Sequence, residues 1–179
     1  MPRLVPIEQP RSLFERIAFA QSRRMFGAVI GPLRVIYARK PKLGFLAQKM
    51  ERIASGLSID AELQLLIRAN ASRVNGCAFC SDLKRAQALR SKMGAERFDA
   101  LPDYRTSDRF TRRERAALLY CEEATRSHRV ADETFLGVQA HFSETEIVEL
   151  TWLNAVENYH NLQSGPLGLP SDELAKRVR

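Results

Sequence analysis

The sequence predicts a compact all-α protein of about seven to nine helices. Apolar residues recur at spacings of three and four through most of the chain, as on the buried face of a helix. Helix-start signals, including two capping boxes, precede several of these runs. No stretch of useful length alternates polar and apolar residues as a half-buried strand would. The length of 179 residues suits one well-buried domain.

The first 57 residues are predicted to form a basic helical extension packed on the core. A proline-containing arm leads into helical spacing from Ser12 to Met25. A short segment around residues 33–38 follows, and Pro41 can open a further helix that ends near Gly56.

The N-terminal 50 residues carry ten Lys or Arg and two Glu, a net charge of +8 in a chain whose formal charge is +7. A basic segment can bind nucleic acid, acidic lipid headgroups or an acidic partner. Here the charges are interleaved with apolar residues at helical spacing, and no nucleic-acid-binding motif accompanies them. We therefore expect a solvated or inter-subunit face and no nucleic-acid partner.

Residues 58–165 are predicted to form the helical core, followed by a short tail over residues 166–179. The last core helix is apolar on most sides, which predicts a central position. Gly94 is the predicted terminator of the second core helix. From spacing and capping signals, the predicted core helices span about residues 60–74, 77–93, 111–126, 132–140 and 144–160.

Two of the three cysteines form a C-x-x-C motif, Cys77 and Cys80, directly after Gly76. Glycine permits a sharp turn there. If Cys77 begins a helix, Cys80 follows one turn later on the same face, close enough for a disulfide after a small adjustment. A helix N-terminus also stabilises the thiolate, the form that attacks peroxides and disulfides. We interpret the pair as a reversible dithiol, with two inert structural cysteines as the alternative.

The sequence argues against a zinc site and against a reactive third cysteine. Structural zinc needs four ligands, and the sequence has neither a second C-x-x-C nor an H-x₃₋₅-H pair. Cys121 shares a helix face with Ala117 and Ala124, which predicts a small buried side chain that fills the core.

The cysteine count also bears on the compartment. Three cysteines are too few for a secreted disulfide scaffold and fit a reducing compartment. No apolar run reaches the roughly 18 residues of a membrane span, and charges interrupt the N-terminus. We predict a cytoplasmic protein without a membrane partner.

The segment 65–80, with its phrase N-G-C-A-F-C, resembles the core of the carboxymuconolactone decarboxylase/AhpD-like alkylhydroperoxidase superfamily. The resemblance continues through residues 98–105, 110–118 and 141–151 and covers roughly residues 58–163. It implies a compact helical fold that assembles into dimers, trimers or hexamers. It also implies that Cys80 attacks the peroxide and Cys77 resolves the product. The helix dipole alone favours Cys77, so the resemblance decides this assignment.

The chain departs from the family pattern at two positions. Lys84 stands where peroxidase members have a His, four residues after the second cysteine, and Leu65 stands where they have a Glu. Lys84 can lower the thiol pKa by its charge, although lysine is a poor proton shuttle at neutral pH. Glu62 is a candidate relay carboxylate, with an exposed first-turn role as its alternative. His141 and His160 flank the last core helix. A structural or surface role is the favoured interpretation for each, and approach to the dithiol, within the fold or across a subunit interface, is the alternative.

The predicted function is a thiol-dependent hydroperoxide reductase that uses a reversible Cys77/Cys80 disulfide without a metal or cofactor. Its expected partners are a small hydroperoxide, a thiol reductant or dithiol partner protein, and further copies of the chain. The alternative is a non-catalytic redox sensor or oligomeric interaction module that has lost the proton relay. Lactone decarboxylation does not require a C-x-x-C pair, so the pair argues against that reaction.

Overall fold

The computed structural model describes residues 1–178, which form eight α-helices, one π-helix and two short 3₁₀ helices, with no strand in that range. The all-α prediction is confirmed. Arg179, the last residue of the predicted tail, lies outside the described residues. The α-helices are α1 (Leu13–Phe26), α2 (Pro41–Ala54), α3 (Ala61–Val74), α4 (Ala78–Arg90), α5 (Gly94–Asp99), α6 (Arg112–Ser127), α7 (Asp132–Gln139) and α8 (Glu144–Ser164); the π-helix is Leu33–Tyr37, and the 3₁₀ helices are Leu101–Asp103 and Leu174–Arg177.

Side-chain caps begin several helices where the sequence indicates them. Ser12 accepts a hydrogen bond from a first-turn N–H of α1, and Asp60 does the same for α3. Thr111 and Ser143 complete the two capping boxes at the starts of α6 and α8. These side chains satisfy N–H groups that have no partner within the helix, so they fix the starts locally.

Two predicted helix ends are wrong. α4 ends at Arg90 because Ser91 is extended, and Gly94, with φ +70°, begins α5 instead of ending α4. α8 continues one turn beyond His160 to Ser164. Asn161 and Ser164 in that extra turn are buried, so packing rather than a local signal sets where α8 ends.

The central helix α3 packs against α4, α6 and α8. Leu63, Leu66 and Ile67 of α3 are fully buried at these contacts. A separate cluster surrounds the dithiol, in which Val35 and Ile36 of the π-helix contact the start of α4. Leu169 and Leu174 of the tail complete this cluster, so N-terminal and C-terminal segments both pack around the two cysteines.

The tail is tied to the dithiol helix by one aspartate. Asp82 of α4 accepts hydrogen bonds from the backbone N–H groups of Leu174 (2.8 Å) and Ala175 (3.0 Å). These bonds satisfy the start of the last 3₁₀ helix. Across residues 1–178, no helix combines the length and the apolar character needed to cross a membrane.

Candidate active site

The two cysteines lie at the turn between α3 and α4. Gly76 has φ +62°, a left-handed conformation that glycine adopts readily, and it reverses the chain after α3. Cys77 is the N-cap of α4, and its Sγ accepts a hydrogen bond of 3.3 Å from the Cys80 N–H in the first turn. The cysteines form a disulfide with a Cα–Cα distance of 5.3 Å. The structure therefore holds the oxidised form of the pair.

A cavity of about 340 Å³ lies beside Cys80. Both cysteines are buried in the apolar cluster, but only Cys80 lines the cavity. Its lining combines apolar side chains, which come mainly from the N-terminal segment and the start of α4, with polar side chains from α2, α3, α4 and α8. The apolar residues include Phe26, Ile30, Tyr37, Phe79 and Leu83; the polar ones include Glu51, Arg68, Lys84, Glu157, His160 and Gln163.

Lys84 follows Cys80 by one turn of α4 and is 3% exposed. Its Nζ lies 3.3 Å from Glu157 Oε2 on α8. The same oxygen accepts a 2.8 Å hydrogen bond from Arg68 Nε, and the other oxygen accepts one of 2.8 Å from Ser72 Oγ. Glu157, at 1% exposure, thus holds a lysine and an arginine together in the wall of the cavity.

Arg68 extends this buried pair towards the surface. Its guanidinium also makes two hydrogen bonds with the half-exposed carboxylate of Glu51 on α2, one of them 2.8 Å long. The cluster therefore contains two cations, Lys84 and Arg68, and two carboxylates, Glu51 and Glu157. In these ionised forms its charges balance.

Protonation in the cluster follows from burial and from the neighbouring charges. Burial alone would raise the pKa of Glu157, but the charges of Lys84 and Arg68 and the hydrogen bonds from Arg68 and Ser72 outweigh it and lower that pKa to about 2. Burial lowers the pKa of Lys84, and the charge of Arg68 adds to this effect, while Glu157 and Glu51 oppose it. The balanced charges favour ionised Lys84 beside ionised Glu157.

His160 is one of the polar residues that line the same cavity. Its Nε2 lies 4.0 Å from Glu51 Oε1, and this buried nitrogen has no hydrogen-bond partner within residues 1–178. Burial lowers the pKa of His160, the charges of Lys84 and Arg68 lower it further, and Glu157 and Glu51 oppose them. The imidazole is therefore neutral at physiological pH.

The structure brings some of the predicted site residues together and leaves others apart. Lys84 joins Cys80 at the cavity, as does His160. Glu62 instead pairs with Arg97, which also binds Glu114 at 2.7 Å. His141 lines a different groove, beside Tyr104.

The third cysteine has the predicted surroundings. Cys121 is fully buried in α6, and burial raises the pKa of its thiol. The prediction of a buried filler is confirmed. A thiol in this environment is inert, because its charged form is disfavoured.

Sequence reasoning missed Glu157, Arg68 and Glu51. A signal for Glu157 was available, because Asn154, Glu157 and Asn161 repeat at spacings of three and four on a helix that is otherwise mostly apolar. Such a stripe on a central helix predicts a buried polar contact rather than a solvated face. Glu51 gave no comparable signal, since it lies among other polar residues of α2.

Comparison with known proteins places the chain in a family. The sequence pattern of the carboxymuconolactone decarboxylase family matches residues 45–123. The uncharacterized protein YdfG of Bacillus subtilis is 30% identical over 116 residues, which cover 63% of this chain and 79% of YdfG.

Solved structures show the same fold. ATU0492 of Agrobacterium tumefaciens, a protein of unknown function for which an antioxidant defence role as AhpD has been suggested, has a TM-score of 0.72 at 26% identity, covering 77% of this chain and 97% of that one. The debrominase Bmp8 has a TM-score of 0.81 at 19% identity, covering 97% and 94%. At that identity the likeness to Bmp8 shows the fold alone. Together with the sequence match, these findings show that the chain belongs to the carboxymuconolactone decarboxylase family, within its AhpD-like superfamily.

Proposed function

We propose that this chain is a thiol-dependent hydroperoxide reductase that works through Cys77 and Cys80. The Cys80 thiolate attacks the distal oxygen of a hydroperoxide ROOH and the O–O bond breaks. The sulfur becomes a sulfenic acid, and RO⁻ takes up a proton and leaves as ROH. The Cys77 thiol then attacks that sulfur, forms the disulfide and releases water. Two electrons and two protons from a thiol reductant or a dithiol partner protein restore both thiols.

The position of Cys80 on the cavity wall, beside buried Lys84, is the observation that carries this proposal. Of the two cysteines, Cys80 is the one that lines the cavity and that a peroxide inside it would contact. Cys77 is already within disulfide distance of Cys80, which suits a resolving thiol. This arrangement supports the same order of reaction as the family resemblance and opposes the order that the helix dipole alone favours.

Lys84 is placed where its positive charge can stabilise a Cys80 thiolate. Residues four apart on a helix have Cβ atoms roughly 5–6 Å apart. Because Lys84 is buried, water screens its charge weakly, and a nearby cation favours the ionised thiol. The first-turn position of Cys80 in α4 adds the favourable helix dipole.

The test is peroxide consumption with cumene hydroperoxide and a dithiol reductant. We expect turnover well above background in the wild type and loss to background in Cys80→Ser. In Cys77→Ser we expect one fast oxidation per chain without sustained turnover, because the sulfenic acid forms but is not resolved. Cys121→Ser is the matched control and should keep wild-type turnover.

The same assay separates this function from the sensor alternative. A sensor would be oxidised once and would show no sustained turnover with low-molecular-weight dithiols or with a thioredoxin-type dithiol protein. Equal turnover in the wild type and in Cys80→Ser would overturn the proposal.

We also propose a cytoplasmic location. Thiol reductants there would return the Cys77/Cys80 disulfide to the dithiol after each reaction.

A further inference from the structure

We propose that His160 carries the proton in this reaction: its Nε2 accepts the Cys80 thiol proton and later gives it to the leaving alkoxide. The inference rests on the hydroperoxide reductase function proposed above and adds a residue that lies 80 positions from Cys80 in the sequence. Peroxidase members of the family have a His and a Glu where this chain has Lys84 and Leu65. His160 explains how the site can still move a proton.

The placement of His160 is the first argument. Its side chain lines the cavity that also has Cys80 on its wall, and it is 17% exposed. Its Nε2 is buried, and among the described residues it has no hydrogen-bond partner. The ring is held by an edge contact with Tyr159, with ring centroids 5.3 Å apart. A buried nitrogen without a hydrogen-bond partner is energetically costly unless it binds a ligand or a water or takes part in a reaction.

The ion pair that Lys84 already makes is the second argument. Its Nζ is paired with Glu157 inside a cluster of two cations and two carboxylates. If Lys84 gave up its proton, the cluster would gain a net negative charge next to the forming thiolate. Two like charges in a poorly screened site oppose each other. Lys84 is therefore suited to stay charged, and the proton needs another carrier.

The protonation state of His160 is the third argument. The charged or titratable groups that face it come from five different elements. Burial lowers the pKa of His160, the cations among these groups add to that effect, and the carboxylates oppose it. The imidazole is thus neutral and can accept a proton at neutral pH. These groups are Tyr37 of the π-helix, Glu51 of α2, Arg68 of α3, Lys84 of α4 and Glu157 of α8.

The proton balance closes within one peroxide reduction. The thiol proton moves from Cys80 Sγ to His160 Nε2, and the thiolate then forms the S–O bond with the distal peroxide oxygen. That oxygen keeps its own hydrogen and becomes the sulfenic acid hydroxyl. The O–O bond breaks, and RO⁻ takes the proton from the imidazolium, so His160 returns to its neutral form.

The test is the single-turnover reaction of the reduced protein with tert-butyl hydroperoxide, followed as loss of free thiols between pH 6 and 10. General acid–base groups contribute about 10²–10⁴-fold, so His160→Ala should be slower by about 100-fold near pH 6.5. The defect should shrink as pH rises, because hydroxide then removes the thiol proton without help. Added imidazole should restore a large part of the lost rate, since the shortened side chain enlarges the cavity where the base is needed.

Three further variants serve as controls. His141→Ala removes a histidine that lines a different groove, and it should react like the wild type with or without imidazole. Lys84→Met should shift the pH profile of the reaction to higher pH, because the thiolate loses a cation, and imidazole should not rescue it. His160→Gln keeps a polar side chain of similar size and should show the same defect if the proton, rather than packing, matters.

The outcomes separate this inference from the proposed function. A wild-type rate no higher than that of Cys80→Ser would remove the function itself, and the inference with it. A fast wild type together with an equally fast His160→Ala would leave the function standing and overturn the role of His160. A defect that is the same at every pH and insensitive to imidazole would mean a structural role and would also overturn the inference.

Discussion

Glu157 holds two buried cations, so its charge matters more to this molecule than any exposed ion pair. We expect Glu157→Gln to lower the free energy of unfolding by about 3 kcal/mol, because removing one partner leaves uncompensated buried charge. Lys84 and Arg68 would then face each other in the cavity wall without a shared carboxylate between them. Urea-induced unfolding followed by circular dichroism measures the change. The matched control is Glu173→Gln, which breaks the exposed pair with Lys176 and should cost below about 1 kcal/mol.

The acid dependence of unfolding provides a second measurement on the same variant. The pKa of Glu157 is lowered to about 2 in the folded protein, against an ordinary value of 4.5. Its ionised form thus contributes stability above the ordinary value, and this contribution is lost as pH falls towards 2. The stability difference between the wild type and Glu157→Gln should therefore narrow between about pH 5 and 2. A difference that stays constant across this range would contradict the assigned charge state.

Lys84 shows where sequence reasoning about the site stops. Its position after the C-x-x-C motif is evident from the sequence, and so is its possible effect on the thiol. Its burial and its pairing with Glu157 depend on how α4 packs against α8. Glu62 is the opposite case. It lies only three residues from Leu65, the position of the family's Glu, but it forms an ion pair with Arg97 and does not join the site. Long-range pairing decides both cases, and sequence spacing within one helix does not report it.

Helix starts were predictable because their causes are local. The caps of α1, α3, α6 and α8 each involve residues within four positions of one another. The end of α8 was not predictable in this way, because the extra turn is stabilised by burial of Asn161 and Ser164 against the rest of the molecule. Glycine is a common helix terminator, which is why Gly94 was predicted as one, but α4 ends at Arg90, before the extended Ser91.

The turn between α3 and α4 gives a prediction about glycine. Gly76 has φ +62° and its missing Cβ would meet no atom within 4 Å, so Gly76→Ala tests backbone conformation without a clash. We expect a loss of about 1 kcal/mol in unfolding free energy. Gly137 also has open space but lies inside α7, where Ala is the better helix former, so Gly137→Ala should stabilise by up to about 1 kcal/mol. Thermal denaturation should move the two variants in opposite directions, and shifts of the same sign would contradict the assigned conformation of Gly76.

The N-terminal segment and the helical core together line the cavity beside Cys80. The predicted extension, residues 1–57, supplies Phe26, Ile30 and Tyr37 to its apolar lining and Glu51 to its polar lining. Glu51 reaches Arg68 of the core and lies beside His160. The basic charge of this segment is therefore only part of its role, since its buried residues help to shape the site. The family resemblance, which covers the core, did not indicate this contribution.

The same segment presents an apolar surface that we expect to join copies of the chain. Leu13, Ile17 and Phe45 are each more than half exposed on α1 and α2. The rings of Phe14 on α1 and Phe45 on α2 are in contact, with centroids 4.7 Å apart, so the exposed side chains of the two helices lie next to one another. We expect this patch to be an interaction surface, because neighbouring exposed apolar side chains gain from burial against a partner.

We therefore predict that the wild type sediments well above its monomer mass of 20.3 kDa and that Ile17→Glu shifts it to the monomer. A carboxylate buried in an apolar interface without a partner is strongly unfavourable, so one substitution should suffice. Leu136→Glu places the same charge on an exposed apolar position of α7 and is the matched control, which should keep the wild-type assembly. Sedimentation velocity at micromolar concentration makes the comparison. A monomeric wild type would contradict the predicted association, and dissociation by Leu136→Glu but not by Ile17→Glu would move the interface to α7.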